Sequence, residues 1–189
     1  MYYEAIVIGT SSGGMNALNF LCSALPVDFS IPIIIVQHIG PHSDNQWIKL
    51  LNINSKLSLK EVDEKEKIEN GNVYIAPPNY HLLIEKDRTF SLTIDERVNY
   101  SRPSIDVLFE SAAEAYKNKL IGVILTGSNN DGTNGIKRVK ECGGITIIQN
   151  PETAESAYMP KSAIAAIKPD YVLSLEAIAE LLIELDKQI

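Results

Sequence analysis

The chain has 189 residues, 45% of them hydrophobic and 22% charged, with a formal net charge of −7. That length supports one substantial core, burying about 70% of the surface an unfolded chain exposes; the acidic balance excludes a general nucleic-acid binder, which needs a basic face. The longest apolar runs are strand-sized against the roughly 20 residues of a spanning helix, and Met1-Tyr2-Tyr3-Glu4 lacks the basic segment of a secretion signal. The expectation is a cytoplasmic chain without membrane insertion, a single domain over residues 1–189.

Apolar residues 5–8 form the first predicted strand and run straight into Gly9-Thr10-Ser11-Ser12-Gly13-Gly14. Met15, Leu18, Leu21, Cys22 and Leu25 then recur at helical spacing, and Pro26 stops that helix. A second strand over 33–37 leads to His38 and the turn Ile39-Gly40-Pro41, followed by a helix over 44–51 entered through Pro41-His42-Ser43-Asp44. Strands at 58–62 and 73–76 come next, and the mixed-sign run 61–69 between them reads as a solvated loop or edge. Residues 81–85 and 89–94 flank Lys86-Asp87-Arg88 as a hairpin. Ser104 is the expected N-cap of a helix whose stripe is Ile105, Leu108, Phe109, Ala112 and Tyr116. A strand at 120–125, a helix at 135–142, a strand at 145–149, a helix at 160–166 and a strand at 171–173 complete the alternation. The last helix carries Leu175, Ile178, Leu181, Leu182 and Leu185, with Ser174 as cap and Glu176 in its first turn.

Strands that are apolar almost throughout, alternating with helices, predict an α/β fold of three layers: a mostly parallel sheet, helices on both faces and one β-hairpin insertion. Cys22 and Cys142 lie at apolar helix positions without Cys-x-x-Cys spacing and are expected to be buried free thiols. Neither the three histidines nor the acids show metal-ligand spacing, so no metal and no cofactor is expected.

Ligands of an open parallel sheet bind beyond the carboxyl ends of its strands. Three reactive side chains are predicted at that rim: Ser11 after the first strand, His38 after the second, and Asp131 within Thr126-Gly127-Ser128-Asn129-Asn130-Asp131-Gly132. A serine hydroxyl needs a base to take its proton, histidine suits that task near neutral pH, and a carboxylate fixes the imidazole tautomer. Backbone N–H groups at Ser12 and Gly13, and along residues 127–130, could meet an oxyanion. Each residue also has a structural reading. The glycine turn could be tight-turn chemistry or a phosphate cradle, His38 a core or turn histidine, and Asp131 a helix N-cap. His42 is the weaker base candidate and His81, at the hairpin, reads as structural.

Two templates fail. Gly9-Thr10-Ser11-Ser12-Gly13 fits Gly-x-Ser-x-Gly formally, but the order Ser11, His38, Asp131 is not that of the α/β-hydrolases, and the serine is on the first strand. The dinucleotide pattern Gly-x-Gly-x-x-Gly fails because Ser11 replaces its central glycine.

Taken together, Gly9-Thr10-Ser11-Ser12-Gly13-Gly14, Gln37-His38, Tyr74-Ile75-Ala76-Pro77, Arg102-Pro103-Ser104-Ile105-Asp106, the 125–132 loop and Gln149-Asn150-Pro151-Glu152-Thr153-Ala154 resemble the signature stretches of the CheB-type chemotaxis protein-glutamate methylesterases, over essentially the whole chain. The resemblance implies a Ser–His–Asp triad at Ser11, His38 and Asp131. It implies hydrolysis of γ-methyl esters on the cytoplasmic helices of methylated chemoreceptors, with methanol released, and deamidation of receptor glutamines. Backbone donors at Ser12 and Ser128 are the expected oxyanion hole, and Arg102 is either a contact for an acidic receptor helix or a structural anchor of its loop. Two departures stand out. Most members carry a receiver domain, whereas Tyr3–Gly9 is already the first catalytic-domain strand, so that control is absent or supplied by a separate regulatory protein. The family's Gly-Met-Gly-Asn-Asp is here Gly127-Ser128-Asn129-Asn130-Asp131. The alternative is a catalytically weak regulatory or ligand-binding domain of the same fold.

Overall fold

Seven of the predicted strands form and pair in parallel throughout. The computed structural model describes residues 3–40 and 46–187; His42 and the start of the helix predicted at 44–51 lie outside the described residues. In chain order the elements are β1 (Ala5–Thr10), α1 (Gly14–Ala24), β2 (Ile33–Gln37), α2 (Gln46–Asn54), β3 (Ser58–Glu61) and β4 (Asn72–Ile75). The hairpin β5 (His81–Ile84) and β6 (Phe90–Thr93) precedes α3 (Ile105–Tyr116). Then follow β7 (Leu120–Ile124), α4 (Thr133–Glu141), β8 (Ile145–Gln149), α5 (Tyr158–Ala166), β9 (Tyr171–Leu173) and α6 (Leu175–Asp186).

The sheet runs β3-β4-β2-β1-β7-β8-β9, with the antiparallel hairpin as a separate two-stranded sheet. Side-chain alternation along buried strands divides the core into two layers. Ile6 and Ile8 of β1 face a layer closed by α1, α2 and α6 through Leu18, Leu21, Trp47, Leu51, Ile178 and Leu182. Ala5 and Val7 face the other, closed by α3, α4, α5 and the hairpin through Leu108, Phe109, Ile136, Met159, Leu82 and Phe90. The hairpin is fixed to α3 by the Ile84 N–H, which donates to Ser111 Oγ at 3.1 Å. Among the described residues no helix is long and apolar enough to cross a membrane.

Two local expectations change. Cys22 is buried, but Cys142 is only half-buried, because α4 ends one residue before it. Ser104 holds the N-cap position of α3 without capping it, since its hydroxyl donates to Asp131 instead of accepting from the helix. Ser174 does cap α6, accepting from Ala177 N–H. The charged run 61–69 follows the edge strand β3, where Lys60 pairs with Glu66.

The chain turns from β1 toward β2 on one side, while β7 takes the place on its other side. Beyond the carboxyl ends of β1 and β7 lies the point where the strand order reverses, and that is where the chemistry-bearing loops meet.

Candidate active site

Ser11 and His38 are set side by side by sheet register. Thr10 pairs with Gln37 in the last rung between β1 and β2, and the His38 N–H donates to Thr10 O at 3.1 Å. The next residues out are therefore Ser11 and His38, on strands about 4.8 Å apart. Buried Gln37 locks the two turns together, its Nε2 donating to Ser11 O at 3.0 Å and to His38 O at 2.9 Å. That clamp requires a glycine at 14, where a Cβ would fall 2.0 Å from Gln37 Oε1 and 2.5 Å from Thr10 Oγ1. On the other side the Ser11 N–H donates to Thr126 O at 3.0 Å, tying the serine to the loop after β7. Gly13, at φ +80°, turns the chain into α1 in a conformation L side chains rarely adopt.

Asp131 is fully buried and accepts five hydrogen bonds. Its Oδ1 takes Asn99 Nδ2 (2.9 Å), Ser104 Oγ (2.8 Å) and the Asp106 N–H (3.2 Å). Its Oδ2 takes His38 Nε2 (2.8 Å) and the Ile105 N–H (2.7 Å). Burial alone would raise this carboxyl, but the hydrogen bonds from His38, Asn99 and Ile105 outweigh it and hold it below the usual aspartate range. The N-cap reading of Asp131 is thus half right. It caps α3, across the junction, whereas the cap position of its own helix α4 belongs to Gly132. The reverse also holds: Asp106 in the first turn of α3 accepts the Gly135 N–H of α4 at 2.6 Å. Burial, reinforced by the Asp131 charge, raises the Asp106 carboxyl. Asn99, at φ +51°, bridges the two acids by donating to Asp106 Oδ2 at 2.8 Å as well.

Both nitrogens of the His38 ring are engaged. With Nε2–H donated to Asp131, the Nδ1 lone pair accepts from Asn129 Nδ2 at 3.1 Å. The orientation of the Asn129 amide is set independently, because its Oδ1 accepts the Asp131 N–H at 3.1 Å. Among the described residues none hydrogen-bonds Ser11 Oγ.

The two loops flanking Ser11 are joined by Ser12 Oγ and Ser128 Oγ, 2.8 Å apart, and by Thr126 Oγ1, which donates to Ser12 O at 2.8 Å. Among the described residues nothing accepts from the backbone N–H of Ser12 or Ser128, which leaves both donors available. A cleft of about 100 Å³ opens beside His38, lined by Ile39, Arg97, Tyr100, Ser101, Arg102 and Pro103. Arg102 is heavily committed: Nε and Nη2 donate to Asn79 Oδ1, and Nη1 donates to the carbonyls of Ile94 and Asp95. Its peptide bond to Pro103 is cis. His81 is buried, with Nδ1 accepting the Ser104 N–H and Nε2 donating to Glu96 O, the structural role expected of it. A cavity of about 120 Å³ at the amino ends of the strands is lined by Tyr3, Glu4, Pro32 and Arg88, and there Glu4 pairs with Arg88 and Lys119.

The structure therefore brings His38 and Asp131 into contact and sets Ser11 next to His38 in register. Sequence reasoning missed three contributors. Gln37 stands in the sequence only as part of a motif, and Asn99 gives no signal because it acts from an irregular segment. Asn129 is visible as a departure in its loop, but nothing in the sequence points to its contact with the His38 ring.

Residues 6–182 match the family model described as CheB methylesterase. A provisionally named protein-glutamate methylesterase/protein-glutamine glutaminase of Leptospira interrogans is 62% identical over 187 residues, covering 99% of this chain and 97% of that protein. A protein of Thermotoga maritima named protein-glutamate methylesterase/protein-glutamine glutaminase is 40% identical over 96% of this chain, which spans 54% of that protein's length. The crystal structure of the Thermotoga maritima CheB methylesterase catalytic domain superposes with a TM-score of 0.93 at 39% identity, covering 98% of this chain and all of that one.

Proposed function

The chain belongs to the CheB methylesterase family, and on that premise we propose that it is a serine hydrolase, one methylesterase domain that removes γ-methyl esters from glutamates on the cytoplasmic helices of chemoreceptors. Ser11 Oγ attacks the ester carbonyl while His38 Nδ1 takes its proton. Asp131 keeps the second proton on Nε2 and stabilises the imidazolium that forms. The oxyanion of the tetrahedral intermediate accepts from the free N–H groups of Ser12 and Ser128. Collapse expels methoxide, protonated by His38, and leaves an acyl-serine that water then hydrolyses through the same base. A glutamine side chain follows the identical path with ammonia as the leaving group, so glutaminase activity needs no second site.

The observation that carries this reading is the 2.8 Å pair between half-buried His38 and fully buried Asp131, next to Ser11 in register, at the reversal of strand order. Arg102 serves the substrate as the fixed wall of the cleft, its guanidinium held by Asn79 and two carbonyls. The test is covalent. A fluorophosphonate probe labels Ser11, and Ser11→Ala abolishes both labelling and methanol release from a methylated receptor fragment. Release that persists in Ser11→Ala, or a label mapped to another residue, rejects the assignment.

A further inference from the structure

His38 Nδ1 is the nitrogen that must receive the Ser11 proton, yet its lone pair is occupied by an amide. Asn129 Nδ2 donates to it at 3.1 Å, and the amide cannot turn over without giving up the Asp131 N–H held at 3.1 Å by Oδ1. Ser11 Oγ, by contrast, has no hydrogen bond among the described residues.

We propose that Asn129 is a positioning residue that brakes the reaction by occupying the Nδ1 lone pair of the His38 base. The inference rests on the triad reading above. Its chemistry is an accounting of one lone pair. While Asn129 donates to Nδ1, the Ser11 proton has no acceptor. Once the proton has moved, Nδ1–H and the Asn129 N–H are two donors facing each other. Turnover therefore requires the amide to withdraw, and Asn129, half-exposed on its loop, has solvent to withdraw into. The other charged groups near this ring are Asp131 on Nε2, Asp106 joined to it through Asn99, and Arg97 and Arg102 in the cleft; Asn129 hydrogen-bonds none of their side chains, and its tie to Asp131 is the backbone N–H held by Oδ1.

The experiment compares Asn129→Ala, Asn129→Gly and Asn129→Asp with the wild-type chain. It follows methanol release across pH, Ser11 labelling by fluorophosphonate, and the His38 ring by ¹⁵N NMR. A neutral hydrogen bond of ordinary net strength corresponds to about threefold to tenfold in rate and about half to one pH unit. Asn129→Ala and Asn129→Gly should raise kcat/KM and the labelling rate by that factor on the plateau above the acidic limb. The limb and the NMR midpoint of His38 should move up together, since the lost donor favoured the neutral ring. Asn129→Asp should move the midpoint further up, because its carboxylate accepts from the imidazolium. Slower or unchanged labelling with an unmoved midpoint overturns the brake. If no chain releases methanol or labels at Ser11, the hydrolase reading fails, and the His38 midpoint alone then decides whether Asn129 controls the ring.

Discussion

The two ends of the site are built on opposite terms. At the Asp131 end the carboxylate is fully buried and five donors from Ser104, the first turn of α3, Asn99 and His38 fix it. At the Ser11 end the backbone is clamped by Gln37 and Thr126, while the half-exposed hydroxyl has no partner among the described residues. The group that must not move is over-determined, and the group that must meet substrate is free to turn. His38 joins the two, and its orientation is inherited from the rigid end.

The comparison breaks most sharply if the ends prove interchangeable. Ser11→Ala should cut turnover by about 10⁴-fold or more while leaving thermal stability within about 0.5 kcal/mol, as for a partly exposed hydroxyl with no hydrogen bond among the described residues. Equal losses of activity and stability would erase the distinction. Asp131→Asn should cut turnover by about 10⁴-fold and also destabilise the fold by about 3 kcal/mol, because a buried acceptor of several N–H groups acquires a donor. The depressed carboxyl gives that loss a pH signature. Its contribution to stability is complete above the unfolded aspartate value of about 3.9 and is lost as pH falls through its lower folded value. Acid unfolding should accordingly flatten in Asp131→Asn. Asn99→Ala should cost about 1–3 kcal/mol by leaving the two acids face to face, with turnover falling less than in Asp131→Asn; denaturant midpoints and kcat measured together check this. Smallest is Arg102→Lys, which cannot reproduce the fork onto Asn79 and the Ile94 and Asp95 carbonyls. It should cost about 1 kcal/mol and less than tenfold in turnover. A large rise in KM with stability intact would instead make Arg102 a direct substrate contact.

The same contrast explains what could be read from the sequence. Strands buried on both faces write themselves as apolar runs such as Ile33-Ile34-Ile35-Val36, so sheet, layers and rim were legible, and with them the places of Ser11, His38 and Asp131. Periodicity also found α1, α3 and α6 to within a residue. What escaped was side-chain traffic between segments distant in sequence. Asp131 caps a helix that begins 26 residues before it, and Ser104 serves as a donor where its position predicts an acceptor. Hydrogen bonds of this kind follow from how loops meet in space, and propensity carries no trace of them. Asn129 belongs to the same class: its residue type is visible, and the ring it touches, 91 positions away, is not.

The exchange of caps between α3 and α4 makes Asp131 a structural tenant as well as a chemical one. A descendant of this chain released from selection for hydrolysis would still need its carboxylate to keep two helices joined, whereas no hydrogen bond among the described residues would retain the Ser11 hydroxyl. Across the lineage, then, an aspartate at 131 reports on foldability, and the serine at 11 is the residue whose persistence records that the chemistry is still in use.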